Sequence, residues 1–275
     1  MRKSRRQTGY DYTKQVTDSQ NFLTDSKLIH RIVRLADIHG NDLVLEIGTG
    51  KGHLTEELCK RAGRVCSVEI DTKLMETARK RLTKYSNLEL TPGDFLQYHL
   101  PVKDEYKVFA NIPYFITTQI VEKLTQGNHP PTDIYLVMEK GAAKRFMGLP
   151  KETRKSLELK VRWEMGIVYH FRREDFHPKP SVDSVLIHFS RKGVPDLDRG
   201  QYREFQKFIE QSMKYGLTGK GGPLTKRQVS AALRQAGLYK EHEDGVTLYI
   251  QWLCLFRYFK KTVDKSRQYN KIRRV

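Results

Sequence analysis

The sequence predicts an α/β protein: a mostly parallel sheet with helices on both faces, followed by a small all-helical C-terminal domain. Three observations carry this. Short apolar runs alternate with segments of helical period from about residue 20 to 190; the first of these runs stops at a cluster of glycines; and beyond a turn-rich stretch at 191–200 only helical periodicity remains.

Residues 1–19 are polar and basic without periodicity, four of the first six being Lys or Arg, and are expected to form a flexible tail. Leu28, Ile29, Ile32, Val33 and Leu35 then recur at helical spacing behind possible caps at Thr24 and Asp25. The apolar run 42–48 predicts a buried strand ending at Gly48, Gly50 and Gly52. A helix over about His53 to Arg61 should follow, closed by Gly63, with a second strand over 64–70, which completes one βαβ unit. The alternation continues with a helix near 72–84, strands at 88–91 and 106–110, a helix after Thr117, and strands at 133–138 and 184–189.

After residue 200 the character is helical. Tyr202, Phe205, Phe208, Ile209 and Met213 share a face; Thr225 and Gln228 form a capping-box pattern ahead of Val229, Ala232, Leu233 and Ala236; Gly237 should end that helix. The segment 248–259 is nearly all apolar or aromatic and should be the buried helix of this domain. The predicted organisation is a basic tail (1–19), a main domain (20–190), a helical domain (201–260) and a second basic tail (261–275).

Fifty Lys and Arg against 32 Asp and Glu leave a formal charge of +18 over 275 residues, which points to a polyanionic partner. Nucleic acid fits better than a membrane surface, because no basic amphipathic helix with a Trp or Leu face and no lipidation motif is present. Cys59, Cys66 and Cys254 are too scattered for a disulfide framework or a zinc site, so no metal is expected. The basic N-terminus is followed by no apolar segment, and a cytoplasmic protein is expected.

The glycine cluster lies between a strand and a helix, where a tight turn lets a ligand approach the backbone. Glu69 ends the next strand, placed to accept hydrogen bonds from both hydroxyls of a ribose. A nicotinamide dinucleotide or S-adenosylmethionine would fit, and the spacing favours the second. The G-x-G-x-x-G pattern is absent, and Glu46, two residues before Gly48, would be unfavourable beside a pyrophosphate but favourable beside a sulfonium or an amino group. A phosphate-binding P-loop fails because Lys51 is followed by Gly52 and position 45 is Leu.

Asn111, Ile112, Pro113 and Tyr114 follow a strand at the same edge of the sheet. The N6 amine of adenine is a poor nucleophile while its lone pair is delocalised into the ring. The Asn111 amide oxygen and the Ile112 carbonyl can accept its two N–H bonds and draw it toward a tetrahedral shape. Tyr114 offers a face on which a flipped base stacks, and Pro113 stiffens the turn.

With these motifs the chain resembles the ribosomal RNA adenine N6-dimethyltransferases, and more closely their macrolide-resistance branch, the Erm methyltransferases. The likeness runs from about Ser19 to Phe259. It rests on 19–23, on 46–55, on Asp94, on 111–114 and on 176–180. It implies a Rossmann-like S-adenosylmethionine-dependent methyltransferase sheet. It further implies that Asn21 and Leu23 contact S-adenosylmethionine together with Gly48, Glu69, Asp94 and Asn111, and that Phe176 lines the other side of the target adenine. By position alone Asp94 beside Gly93 would be a turn residue.

The Tyr-Gly-x-Leu-Ser-Val and Arg-Lys-Thr segments of the housekeeping small-subunit enzymes are absent, whereas 140–146 and 223–228 look like the resistance branch. The implied partner is 23S ribosomal RNA, methylated by a monomer at an adenine of the peptidyl-transferase loop, giving resistance to macrolide, lincosamide and streptogramin B antibiotics. A housekeeping small-subunit enzyme, a non-catalytic nucleic-acid-binding relative and a DNA adenine methyltransferase are the alternatives. Phe115 stands where the family often has Asn, which bears on how much dimethyl product forms.

Overall fold

In a computed structural model, residues 20–238 and 248–263 are described. The expected tail at 1–19, with Ser19 of the first family motif, lies outside them, as do residues 264–275 of the tail expected over 261–275. The chain divides into two compact units, one running through Ala143 and including Glu164–Arg191, the other formed by Lys144–Trp163 and the chain from Lys192 onward.

The first unit holds a seven-stranded sheet. Its strands are β2 (Leu43–Ile47), β3 (Arg64–Glu69), β4 (Leu88–Pro92), β5 (Tyr106–Asn111), β6 (Asp133–Glu139), β7 (Trp163–His170) and β9 (Ser184–Arg191), in the order β4-β3-β2-β5-β6-β9-β7. The pairs β2–β3, β3–β4, β2–β5 and β5–β6 are parallel, and β6–β9 is antiparallel. The predicted strands are all present; β7 is additional.

The chain winds outward from β2 through β3 and β4, then returns to add β5 on the other side. The carboxyl ends of β2 and β5 therefore flank the point where the strand order reverses, and in an open α/β sheet ligands bind in the crevice there. Both sequence motifs of the site follow these two strands.

The helices follow local signals. Asp25 caps α1 (Ser26–Arg34), its carboxylate accepting from the N–H of Lys27 at 2.8 Å, and Leu28, Ile29, Ile32 and Val33 form the buried face. Asp71 caps α3 (Thr72–Leu82) in the same way. Helix α4 (Thr117–Gln126) follows a single 3₁₀ turn over Tyr114–Ile116.

Helix α2 (His53–Cys59) ends short of the predicted Arg61, and Gly63 has a different role from the expected helix stop. A Cβ there would lie 2.3 Å from the carbonyl oxygen of Gly40, so Gly63 lets two backbones touch. A two-stranded antiparallel ribbon pairs β1 (Phe22–Leu23) with β8 (Phe176–His177), in the register Phe22 to His177 and Leu23 to Phe176. Helix α5 (Lys140–Phe146) runs across the division between the units.

The second unit is built from α6 (Arg154–Lys160), α7 (Arg199–Tyr215), α8 (Lys226–Gln235) and α9 (Tyr249–Thr262). Its core joins Leu157 and Val161 to Phe205, Phe208, Ile209, Trp252, Phe256 and Phe259. Residues 144–163, assigned to the main domain on sequence, thus belong to the helical unit: the buried face of α6 finds its apolar partners there. The capping box of Thr225 and Gln228 opens α8, and Gly237, at φ +69°, lies just past its end. Helix α9 runs past the predicted end of its domain at residue 260.

Candidate active site

The turn after β2 exists because of its glycines: Gly48, Gly50 and Gly52 have φ of +82°, +55° and +80°, a region costly for any residue with a Cβ. The turn is pinned from within. Gly48 donates to the Val68 carbonyl at 2.9 Å, and Gly50 donates to Glu69 Oε2 at 2.8 Å. The other Glu69 oxygen, Oε1, accepts from the N–H of Asp71 at 2.9 Å. Glu69 is only 1% exposed; burial pushes its pKa up, partly offset by these backbone donors.

The turn is one wall of a pocket at the carboxyl edge of the sheet. Asn21, Leu23, Gly48, Glu69, Asp94, Asn111, Ile112 and Tyr114 all line it, so eight of the nine predicted site residues meet in one place. Asp94 also caps the 3₁₀ turn Phe95–Gln97 by accepting from the Leu96 N–H at 2.9 Å, so its position-based reading as a turn residue holds alongside its place in the pocket. Its loop is tied down twice: Gly93 donates to the Glu69 carbonyl at 2.8 Å, and Lys123 Nζ donates to the carbonyls of Leu96 and Tyr98 at 2.8 and 2.7 Å.

At the end of β5, the Asn111 side chain donates through Nδ2 to the Asn21 carbonyl at 2.6 Å. This contact settles which way the amide faces: with Nδ2 committed to a carbonyl, Oδ1 is the end turned to accept. The N–H of Ile112 donates to the Val137 carbonyl at 3.4 Å, holding the motif against β6. The Tyr114 hydroxyl lies 2.5 Å from Ser184 Oγ, and burial pushes its pKa up, with the Ser184 hydrogen bond opposing. It is therefore neutral at physiological pH.

The ninth predicted residue, Phe176, lies elsewhere. It is 3% exposed, belongs to the apolar core with Leu23 and Ile32, and packs against Phe171 with ring centroids 5.2 Å apart. It does not line the pocket. Its backbone pairing with Leu23 and its ring packing on Phe171 turn it into the core, the ordinary outcome for a Phe at a strand pair.

Glu46 also departs from its expected place near a sulfonium. It is fully buried in the middle of β2, its Oε2 accepting from Thr55 Oγ1 at 2.7 Å and from Ser67 Oγ at 2.6 Å, while Oε1 has no partner. Burial raises its pKa to about 8, so at neutral pH it is an uncharged acid and offers no anion to a cofactor. It serves the turn from beneath: Ser67 Oγ is also 2.6 Å from Thr49 Oγ1, and Thr49 sits in the turn and lines the pocket.

Other contributors lie within the motifs at 19–23 and 46–55, though the sequence assigns them no role of their own. The Phe22 ring lies over Gly50, whose Cβ would come within 3.2 Å of it, and Lys51 Nζ sits 5.5 Å from the centroid of the same ring. His53 lines the pocket with a pKa lowered by burial and by the cations Arg81 and Lys51.

These residues fit S-adenosylmethionine. Glu69 would hold the ribose through its buried carboxylate, and Val68, Ile70, Phe95 and Ile116 are apolar lining that would take a flat base, with Asp94 in the same lining. A Cβ on Gly48 would meet the Asn111 backbone oxygen at 4.0 Å, so the turn and the end of β5 stand within contact distance of each other at this edge of the pocket. Among the described residues, no group of three or more His, Cys, Asp or Glu is placed to hold a metal ion, and no helix is long and apolar enough to cross a membrane.

The family model for ribosomal RNA adenine dimethylase matches residues 12–243. The rRNA adenine N-6-methyltransferase of Limosilactobacillus reuteri is 40% identical over 194 residues, 70% of this chain and 78% of its own length. That of Lysinibacillus sphaericus is 35% identical over 247 residues, 89% of this chain and 96% of its own. Among solved structures, the 23S rRNA methyltransferase ErmE superposes with a TM-score of 0.77 at 30% identity, covering 87% of this chain and 100% of its own. A dimethyladenosine transferase from Plasmodium falciparum shares the fold, with a TM-score of 0.71 at 22% identity over 87% of this chain and 98% of its own. A glycine turn, a buried carboxylate and an oriented asparagine beside a tyrosine thus meet in a chain that belongs to the ribosomal RNA adenine dimethylase family.

Proposed function

We propose that this protein transfers methyl groups from S-adenosylmethionine to N6 of one adenine in 23S ribosomal RNA, the modification that gives macrolide, lincosamide and streptogramin B resistance. The observation that carries the chemistry is the hydrogen bond from Asn111 Nδ2 to the Asn21 carbonyl. It leaves the amide oxygen to accept one N–H of the target amine, with the Ile112 carbonyl to accept the other. Paired this way the amine nitrogen loses conjugation with its ring, and its lone pair becomes available.

When bound, S-adenosylmethionine supplies a methyl group on a positively charged sulfur. The chain's task is to hold the ribose through Glu69, the adenine edge through Asp94, and the target base on the Tyr114 ring. Tyr114 moves no proton in this scheme, in keeping with a hydroxyl whose pKa is pushed up and which is engaged with Ser184.

The large-subunit target is supported by the likeness to ErmE over the whole of that chain and by the segments at 140–146 and 223–228. The acting form we propose is a monomer, working in the cytoplasm with its ribosomal substrate. The test is incubation with labelled S-adenosylmethionine and separate large-subunit RNA, small-subunit RNA and DNA, followed by primer extension and nucleoside analysis. Label at N6 of one adenine in large-subunit RNA is expected. Label confined to small-subunit RNA or to DNA would overturn the target, and no transfer to any of them would overturn the activity.

A further inference from the structure

Ser184 is remote in sequence from every motif of the site, yet its hydroxyl lies 2.5 Å from that of Tyr114. Ser184 is 3% exposed and lies outside the pocket lining. It is also a fixed point. As the first residue of β9 it pairs with Glu139 in the β6 ladder, and its carbonyl accepts from the Phe171 N–H at 3.1 Å.

Tyr114 stands differently. It belongs to the single 3₁₀ turn between β5 and α4, half-buried; its carbonyl accepts from Thr117 Oγ1 at 2.9 Å, which holds the backbone and leaves the ring to its side-chain torsions. A ring on such a turn can swing about its side-chain torsions, and a swung ring offers a base no platform at the Asn111 acceptor. A hydrogen bond at the phenol oxygen fixes the far end of the ring axis. Only rotation about that axis is then left.

We infer that Ser184 is a positioning residue for methyl transfer: through its hydrogen bond to the Tyr114 hydroxyl it anchors the stacking ring to the sheet at the place where the target adenine must lie. This rests on the reading of Tyr114 as the stacking platform. It also gives the tyrosine hydroxyl a task that involves no proton transfer, because Ser184 is a neutral partner and lies outside the pocket.

A double-mutant cycle in the full-length protein tests it, with Ser184→Ala, Tyr114→Phe and the double variant assayed on large-subunit RNA. Removing one buried neutral hydrogen bond should lower kcat by roughly two- to twelvefold in each single variant, with cofactor affinity unchanged. The double variant should be no slower than either single one, because the same bond is lost once. A general packing defect at Ser184 would instead persist in the Tyr114→Phe background. If Ser184→Ala lowers the melting temperature, Tyr114→Phe still removes the bond from the other end with Ser184 in place.

Losses that multiply in the double variant, or wild-type kcat in both single variants, would overturn the inference. Tyr114→Ala separates the two levels. An Ala variant slower than Phe keeps Tyr114 as the platform even where the anchor fails, whereas an Ala variant at the wild-type rate removes the platform reading itself.

Discussion

Replacing Glu46 by Gln should remove most of a downward slope in stability between about pH 4.5 and pH 8. The Glu46 carboxyl is wholly buried, has hydroxyl donors on one oxygen only, and is held at a pKa of about 8 against an ordinary 4.5. The folded protein therefore keeps this proton where the unfolded chain releases it. The native state binds more protons across that window, so stability is whole below pH 4.5 and falls as pH rises toward 8. From 4.5 to 7 is 2.5 pH units; at about 1.36 kcal/mol each the loss by pH 7 is about 3 kcal/mol. Gln keeps an oxygen to accept from Thr55 and Ser67 but has nothing to titrate. Urea unfolding of both proteins at pH 5, 6, 7 and 8 measures the effect, and the difference between them isolates this one group from every other titration. The variant should gain on the wild type by roughly 1.4 kcal/mol per pH unit up to about pH 7. Parallel stability curves over this range would refute the buried neutral acid.

Glu69→Ala should weaken S-adenosylmethionine binding by roughly 1.5–3 kcal/mol, the worth of hydrogen bonds to a charged group, and calorimetry showing unchanged affinity in a folded variant would remove the ribose assignment. Gly50→Ala places a side chain at φ +55° and 3.2 Å from the Phe22 ring; a loss of about 1–3 kcal/mol in stability, read from urea midpoints, is expected together with weaker cofactor binding. RNA affinity should fall steeply as salt rises, given the charge of +18. Deleting residues 264–275 should flatten that dependence if they meet phosphates, and an identical slope after deletion would exclude them from the RNA interface.

The parts legible in the sequence are those whose cause is local. A strand into three glycines into a helix, with an acid at the end of the next strand, is a run of short-range requirements: period, positive φ, and a carboxylate at a fixed remove. The Asn111–Tyr114 motif and the capping box at Thr225 are of the same kind. What the tertiary structure alone decided depends on pairings across long stretches of chain. Asn111 is oriented by a carbonyl 90 residues earlier, and Tyr114 is held by a serine 70 residues later. Glu46 looked like a cofactor contact because its position along the strand is visible in sequence and the hydroxyls of Thr55 and Ser67 around it are not. The motif around Phe176 likewise shows which residue is present, while its burial against Phe171 is set by a strand pair formed with the far N-terminal end of the domain. Strand β7 lacks a clean alternation, with Gly166 in its middle, and becomes a strand because β9 offers it an edge. Residues 144–163 join the helical unit because the apolar face of α6 is buried by α7 and α9, a choice of partner that no local period encodes.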